Sequence, residues 1–288
     1  MLQMNVPQPG NLELSHYILG WMADSIRFHE CSLAGIDAMT AATERSFPRH
    51  THDQYGIGVI DTGGHASWSG RGNVEAGPGA FVCVNPGEVH DGRAIGGRPR
   101  SWRILYFEPA RLDEMRADIL EGAHQPFTFP EPVFADPGLR RLFESAFAHV
   151  TARNPSELAR EAAILDLVAR LARHSTARPR LDEGPTARIR HARERIDAHP
   201  AEPITLADLA KEAGLSRYQL LRAFARELGL TPHAYILQRR IALARRLIRG
   251  GTTLADAAGA AGFYDQSHLH RCFVRQFGVT PRRYALAD

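Results

Sequence analysis

Hydrophobic and polar positions change their rhythm twice along the 288 residues. Between 45 and 108 the apolar stretches are short, as in YGIGVI, GAFVCVN and WRILYF. Gly, Pro, Asn and Asp cluster between them, in DTGG, SGRGN, AGPG, NPGE and IGGRP. Short apolar runs at regular spacing, broken by turn residues, predict a small β-barrel or sandwich. From about 138 the repeat becomes helical. Leu139, Leu142, Phe143, Ala146 and Val150 fall on one stripe; Leu158, Ala162, Leu165, Val168, Ala169 and Ala172 fall on another. Spacings of three and four mark the apolar side of an amphipathic helix, so a helix pair follows the β region. HSTARPRLDEGP then interrupts with two prolines and a glycine, which reads as a linker over 174–185. From 186 onward the spacing is helical throughout. The chain is therefore expected to be multidomain: a β-barrel with a helix pair over 1–173, the linker, and an all-α domain over 186–288.

The all-α part repeats itself. TLADLAKEAGLSRYQLLRAFARELGLTPHAY covers 205–235, and TLADAAGAAGFYDQSHLHRCFVRQFGVTPRRY covers 253–284. The offset is 48 from Thr205/Thr253 to Gly214/Gly262 and 49 from Leu220/Leu269 onward. One residue has been added in the turn, so helical register is kept on both sides of it. Each copy predicts helix, turn, helix. Thr205 and Thr253 are N-cap candidates, Ser216 with Gln219 forms a capping box, and Asp265 caps the last long helix. Gly214 and Gly262 stand where a left-handed residue ends the first helix. Between the copies, HAYILQRRIALARRLIRG predicts one helix about 25 Å long.

The outer faces of the second helices are unusual. Tyr218, Leu221, Arg222 and Arg226 point outward in the first copy, and Ser267, His268, Arg271 and Arg275 in the second. An ordinary solvated face carries carboxylates; these carry none. Two helices joined by a Gly-containing turn match the DNA-binding helix-turn-helix, whose second helix enters the major groove. Arg grips guanine O6 and N7 bidentately, Ser and His pair with base edges, and an exposed Leu packs on a thymine methyl. A rigid rod between two such readers predicts contact with successive major grooves and some bending of the duplex.

Charge sharpens this picture. The net charge is +3 overall, but 186–288 carries 17 Lys and Arg against 9 Asp and Glu. Residues 1–185 are therefore acidic on balance. Lys211 is the only lysine, and arginine is the better bidentate phosphate and guanine ligand. Cys31, Cys83 and Cys272 are odd in number and widely spaced, which argues against disulfides and thiolate zinc sites. The first residues lack a basic segment followed by an apolar run, and no stretch approaches the ~18–20 apolar residues of a membrane span. A cytoplasmic protein is expected.

At AGFYDQSHLHRCFVRQFGVTPRRY the sequence resembles the AraC/XylS family of bacterial transcription regulators, and the likeness extends over roughly 186–286. It implies a seven-helix domain with two helix-turn-helix units and, by position, base-reading roles for Tyr218, Leu221, Arg222, Ser267, His268 and Arg271. That family often has a polar residue where Leu221 stands. The resemblance also implies promoter binding, activation through RNA polymerase, and homodimer contacts by the helix pair.

RHTHDQYGIGVIDTG followed by GPGAFVCVNPGEVHDG resembles, more loosely, the cupin-like sensor domain of many such regulators. His50, His52 and His90 are its candidate chemistry, with Tyr55 and Trp102, and also Trp68 and Tyr106, as pocket-lining aromatics. Metal-binding cupins usually add a Glu shortly after the paired His. Gln54, Tyr55, Gly56 and Ile57 occupy that region here, so no metal or cofactor is expected and the imidazoles read as hydrogen-bonding groups for a small effector. The principal expectation is an effector-controlled, sequence-specific DNA-binding regulator without enzymatic activity. The alternatives are a metal-dependent cupin enzyme fused to a DNA-binding domain, and an architectural DNA-bending protein.

Overall fold

The computed structural model describes residues 24–31, 33–69, 72–120, 127–153, 156–174 and 186–286. The amino-terminal stretch read for a leader and the linker beyond His174 lie outside the described residues.

Two antiparallel sheets carry the first part. β1 (Ser25–His29), β2 (Ile36–Thr43), β4 (Tyr55–Thr62), β7 (Phe81–Val84), β9 (Arg100–Phe107) and β10 (Val133–Phe134) pair in the order β1-β2-β9-β4-β7-β10. β3 (Phe47–His50), β5 (His65–Ser69), β6 (Gly72–Ala76) and β8 (His90–Ala94) pair in the order β3-β8-β5-β6. The β region thus begins at Ser25, well before the position its pattern indicates. β2 is buried on nearly every residue, so it has no alternation to reveal it.

The larger sheet is sandwiched. One side of it, through Ile57, Val59, Phe81, Leu105 and Phe107, packs on three helices: α1 (Pro109–Ile119), α2 (Pro137–Thr151) and α3 (Glu157–His174). Helix α1 is an addition to the sequence reading; its signal is Pro109 at the first turn with Leu112 and Met115 buried. Helix α2 buries Leu139, Phe143, Ala146 and Val150 of its expected stripe, with Leu142 only partly covered, and its N-cap Asp136 accepts hydrogen bonds from the Gly138 and Leu139 amides and from Arg170 of α3. Helix α3 differs from expectation. It buries Ala163, Ile164, Leu167, Val168 and Leu171, while Leu158 and Leu165 of the expected stripe are 77% and 37% exposed. The helix has apolar residues on two sides, and periodicity alone does not say which side faces the core.

Seven described helices follow: α4 (Ala187–Ala198), α5 (Leu206–Glu212), α6 (Arg217–Leu228), α7 (Pro232–Arg249), α8 (Leu254–Ala260), α9 (Gln266–Phe277) and α10 (Pro281–Ala285). Every proposed cap is in place. Thr205 and Ser216 form full capping boxes, and Thr253 and Asp265 accept from Asp256 and His268 amides. Gly214 and Gly262 have φ of 62° and 78°. The first unit has its own core around Ile189, Leu209, Leu220, Phe224 and Tyr235.

The second unit does not. Its core, Ile241, Ala244, Ala257, Leu269, Phe273, Phe277 and Tyr284, runs without a break into Ile26, Phe28, Met39, Trp102 and Tyr106 of the β part. Phe28 meets Tyr284 edge-on at 5.1 Å. Gly278 is left-handed at φ 73°, and a Cβ there would come within 2.1 Å of Ile26 Cδ1. Arginines of α7 hold the acidic side of this seam: Arg249 pairs with Asp37, Arg239 and Arg246 with Asp53, and Arg245 with Glu108 at 3.8 Å.

Candidate functional site

Two surfaces meet here. The first is the pair of outward helix faces. Tyr218, Leu221 and Arg222 on α6 are exposed, as are Ser267 and Arg271 on α9, while His268 is half-buried with its ring edge-on to Phe263 at 5.3 Å. Their inward neighbours Leu220, Phe224, Leu269 and Phe273 are fully buried, so the outer residues are fixed on rigid helices. Arg222 donates to the Tyr218 hydroxyl at 2.9 Å, and the two stack. Tyr264, in the turn before α9, is 93% exposed. Sequence reasoning passed over it because it lies between the helices. Its signal is a large aromatic in a turn where GFYDQS otherwise offers small and polar residues.

The second is a cavity of about 110 Å³ between the two sheets. His50, His52 and His90 stand together in its wall, with ring centroids 4.8, 4.3 and 5.0 Å apart. β3 ends at His50, β8 starts at His90, and the two are directly paired across the sheet. His52 lies two residues past the strand end and turns back toward them. The Nδ1–H of His50 donates to the Pro48 carbonyl at 2.8 Å, and that of His90 to the Glu88 carbonyl at 3.1 Å. A carbonyl only accepts, so these contacts fix the tautomer and leave Nε2 as the acceptor.

Burial keeps all three rings neutral. His50 is driven down to about 3 by burial and then by the neighbouring His90. His90 is driven to about 4 by burial, and His52 falls well below its ordinary value for the same reason, helped by His50, His90 and Arg245. His65, also in the wall, is lowered to about 3 by burial and by Arg100, whose Nε–H donates to His65 Nδ1 at 2.9 Å. Tyr106 is pushed up to about 12 by burial, so its hydroxyl stays protonated.

Trp102, Ile104 and Tyr106 share one side of β9, as the pleat requires, and all three line the cavity. Tyr55 does not. It stands opposite Phe107 in the ladder, takes the helix-facing side, and donates its hydroxyl to the Phe127 carbonyl at 2.8 Å. Trp68 also points elsewhere: Arg49 stacks on it at 3.9 Å, and it packs against Gly229 at the α6 terminus. Among the wall residues missed by sequence reasoning are Phe47, His65, Gln276 and Phe277. The last two form the final turn of α9, so the helix that carries Ser267, His268 and Arg271 also closes the cavity.

Two family models match the chain: an AraC-like ligand binding domain over 31–168 and a helix-turn-helix domain over 209–286. The uncharacterized HTH-type transcriptional regulator YbfI of Bacillus subtilis is 31% identical over 228 residues, covering 78% of this chain and 82% of that protein. The HTH-type transcriptional activator RhaS of Escherichia coli O81 is 24% identical over 269 residues, covering 90% and 94%. Unsaturated fatty acid bound ToxT from Vibrio cholerae has a similar fold, with a TM-score of 0.54 at 13% identity over 88% of this chain and 96% of that one.

Proposed function

We propose that this chain, which belongs to the AraC family of transcriptional regulators, links a small effector in the His-lined cavity to operator reading by its two helix-turn-helix units. The observation that carries the coupling is the shared helix. Gln276 and Phe277 of α9 border the cavity, and three turns or fewer away on the same helix are Ser267, His268 and Arg271. A ligand that shifts the end of α9 shifts the reading face with it. Such a ligand must bind the two arrangements unequally to have any effect.

The base-reading set is Tyr218, Leu221 and Arg222 with Ser267, His268 and Arg271. The effector set is His50, His52, His90 and Trp102, joined by Tyr106 and Gln276; Tyr55 is replaced. The division into 1–173, a linker and 186–288 follows the sequence reading, with the seam through Phe28, Phe277 and Tyr284 added to it. A cavity near 150 Å³ holds a benzene-sized guest, so a space of about 110 Å³ admits a molecule of roughly one ring. That size is too small for an unsaturated fatty acid, the ligand bound in the ToxT structure, while the cavity keeps this shape. The reading includes no catalysis, and takes the protein as a cytoplasmic regulator that touches RNA polymerase at its promoter.

Arg271→Ala tests the reading face. Its binding to the natural operator should weaken by ~1–3 kcal/mol, with base preference relaxed at one position. Nuclease footprints on DNA flanking the gene, compared across operator variants, measure this. Uniform weakening on all sequences would make Arg271 a phosphate contact instead.

The homodimer is proposed on α3, where Leu158 and Leu165 are seven apart and exposed. Such a stripe packs well against its own copy. Leu158→Glu with Leu165→Glu is expected to yield a monomer by sedimentation while leaving the melting temperature nearly unchanged. A wild-type chain that sediments as a monomer, with operator bound, would remove the dimer from the proposal.

A further inference from the structure

Gln276 is buried in the cavity wall with its amide oxygen unpaired. The residue is 7% exposed, it lies in the last turn of α9, and its Oε1 accepts no hydrogen bond from the protein. A buried amide oxygen left this way is costly, and few native side chains tolerate it. The polar groups around it are acceptors too. His50 and His90 give their Nδ1–H groups to the Pro48 and Glu88 carbonyls, so each keeps an Nε2 lone pair that can only accept. Ser67 spends its hydroxyl on the Asp91 carbonyl at 2.6 Å, and the Asp91 carboxylate already accepts from the Trp68 amide at 2.7 Å. Around these acceptors stand the rings of Phe47, Trp102, Tyr106 and Phe277.

We infer that the effector of this cavity is an uncharged one-ring phenol with two hydroxyl groups, one donating to an imidazole Nε2 and the other to the Gln276 amide oxygen. The space of about 110 Å³ sets the limit of one ring. The polar groups set the sign. A carboxylate brings only further lone pairs, and among the described residues no lysine or arginine lines the cavity to meet it. A buried charge without a partner is expensive. An ammonium would have one carboxylate, Asp91, already engaged by the Trp68 amide, and would sit in the field of Arg245 that reaches His52. A hydrocarbon ring would fill the space and leave Gln276 unpaired. A phenolic hydroxyl donates to the amide oxygen and can also accept from the amide nitrogen, so one group satisfies both halves of Gln276. At the other end the proton stays on the phenol. Burial holds His50 near 3 and His90 near 4, so the imidazoles are weak bases and the hydrogen bond joins two neutral groups.

The two hydroxyls address two parts of the chain. His50 ends β3 and His90 begins β8, both in the smaller sheet, whereas Gln276 belongs to the helix that carries Ser267, His268 and Arg271. A phenol with one hydroxyl satisfies one side only. A phenol with two ties the sheet to the end of α9, which makes Gln276 the residue that selects for the second hydroxyl. This deepens the effector reading and rests on it for the consequence at the operator, though not for the occupancy itself.

The test titrates resorcinol, catechol and hydroquinone into the full chain by calorimetry, beside phenol, toluene, benzoate and benzylamine. At least one dihydroxybenzene should bind roughly tenfold tighter than phenol and roughly a hundredfold tighter than toluene, one hydrogen bond being lost at each step. Benzoate and benzylamine should give no heat of binding. Gln276→Met keeps the side chain's length and removes its amide. In that variant the preference for the dihydroxybenzene over phenol should vanish, while the unliganded protein melts at or above the wild-type temperature, because no hydrogen bond within the fold has been lost. The inference is overturned if no dihydroxybenzene binds, if a charged probe or toluene binds best, or if the variant keeps the preference. A variant that melts well below the wild type overturns it as well, since the amide would then be paired within the fold. The wild-type ranking is read independently of the variant. A dihydroxybenzene that binds as expected but leaves the operator footprint unchanged would remove the coupling and keep the ligand class. A footprint that answers to benzoate or benzylamine would keep the coupling and remove the class.

Discussion

Acidification from pH 7 to pH 5 should strip much of the stability from this protein. His50 and His65 are held near 3 and His90 near 4 in the fold, against ~6.5 in the unfolded chain. Between those values the unfolded state binds protons that the folded state refuses. Stability is therefore full above about pH 6.5 and falls as pH drops toward the folded values. At pH 5 each such group costs on the order of 2 kcal/mol, so together they remove a large part of the usual ~5–15 kcal/mol of a whole domain. His52 is shifted the same way and adds to this. The steps are coupled, because a first proton on the cluster repels a second. Urea midpoints at pH 7, 6 and 5, read by tryptophan fluorescence, measure the slope. His65→Gln should lower that slope by about one proton: a glutamine oxygen can still accept from Arg100, and protonated His65 cannot. A midpoint unchanged from pH 7 to 5 would mean the rings are hydrated rather than buried.

Local chemistry was legible in the sequence and long-range pairing was not. The capping boxes at Thr205 and Ser216, the left-handed glycines and the outward faces of α6 and α9 all follow from residues within four positions of each other. The strands are harder. Trp102 and Tyr106 could be assigned together because they share one strand. Tyr55 has the same chemistry as these two, yet its side is set by standing opposite Phe107, and a register is not written in either strand alone. Helix α3 carries apolar residues on two sides, and which side is buried depends on α1 and α2. The charge imbalance is visible in the sequence, but what the arginines face is not. Part of the arginine excess faces not DNA but Asp37, Asp53 and Glu108 across the seam. The role of Gln276 and Phe277 in the cavity was out of reach for the same reason: it depends on how two parts of the chain dock, with more than two hundred residues between His52 and Phe277.

That docking supplies the second large effect. Asp37→Ala is expected to destabilise the seam by about 3 kcal/mol, the lower end for breaking a buried ion pair. Asp37 is 4% exposed, receives Arg249 of α7, and also accepts from the Gln54 amide at 2.9 Å. Arg249 is partly exposed and keeps its stacking over Tyr284 at 5.6 Å, so water and the ring recover some of its loss. Gln54 is fully buried and recovers nothing, and an orphaned buried donor adds ~1–3 kcal/mol. Because the second unit shares its core with the β part, loosening this clamp should split one unfolding transition into two in calorimetry. Asp37→Asn separates the contributions, since the amide oxygen can still accept from Gln54 while the charge is gone. A single transition at the wild-type temperature in both variants would show that apolar contacts alone hold the seam. If the clamp does hold it, footprints of the alanine variant should become indifferent to effector, because α9 can answer the cavity only while its last turn remains part of the wall.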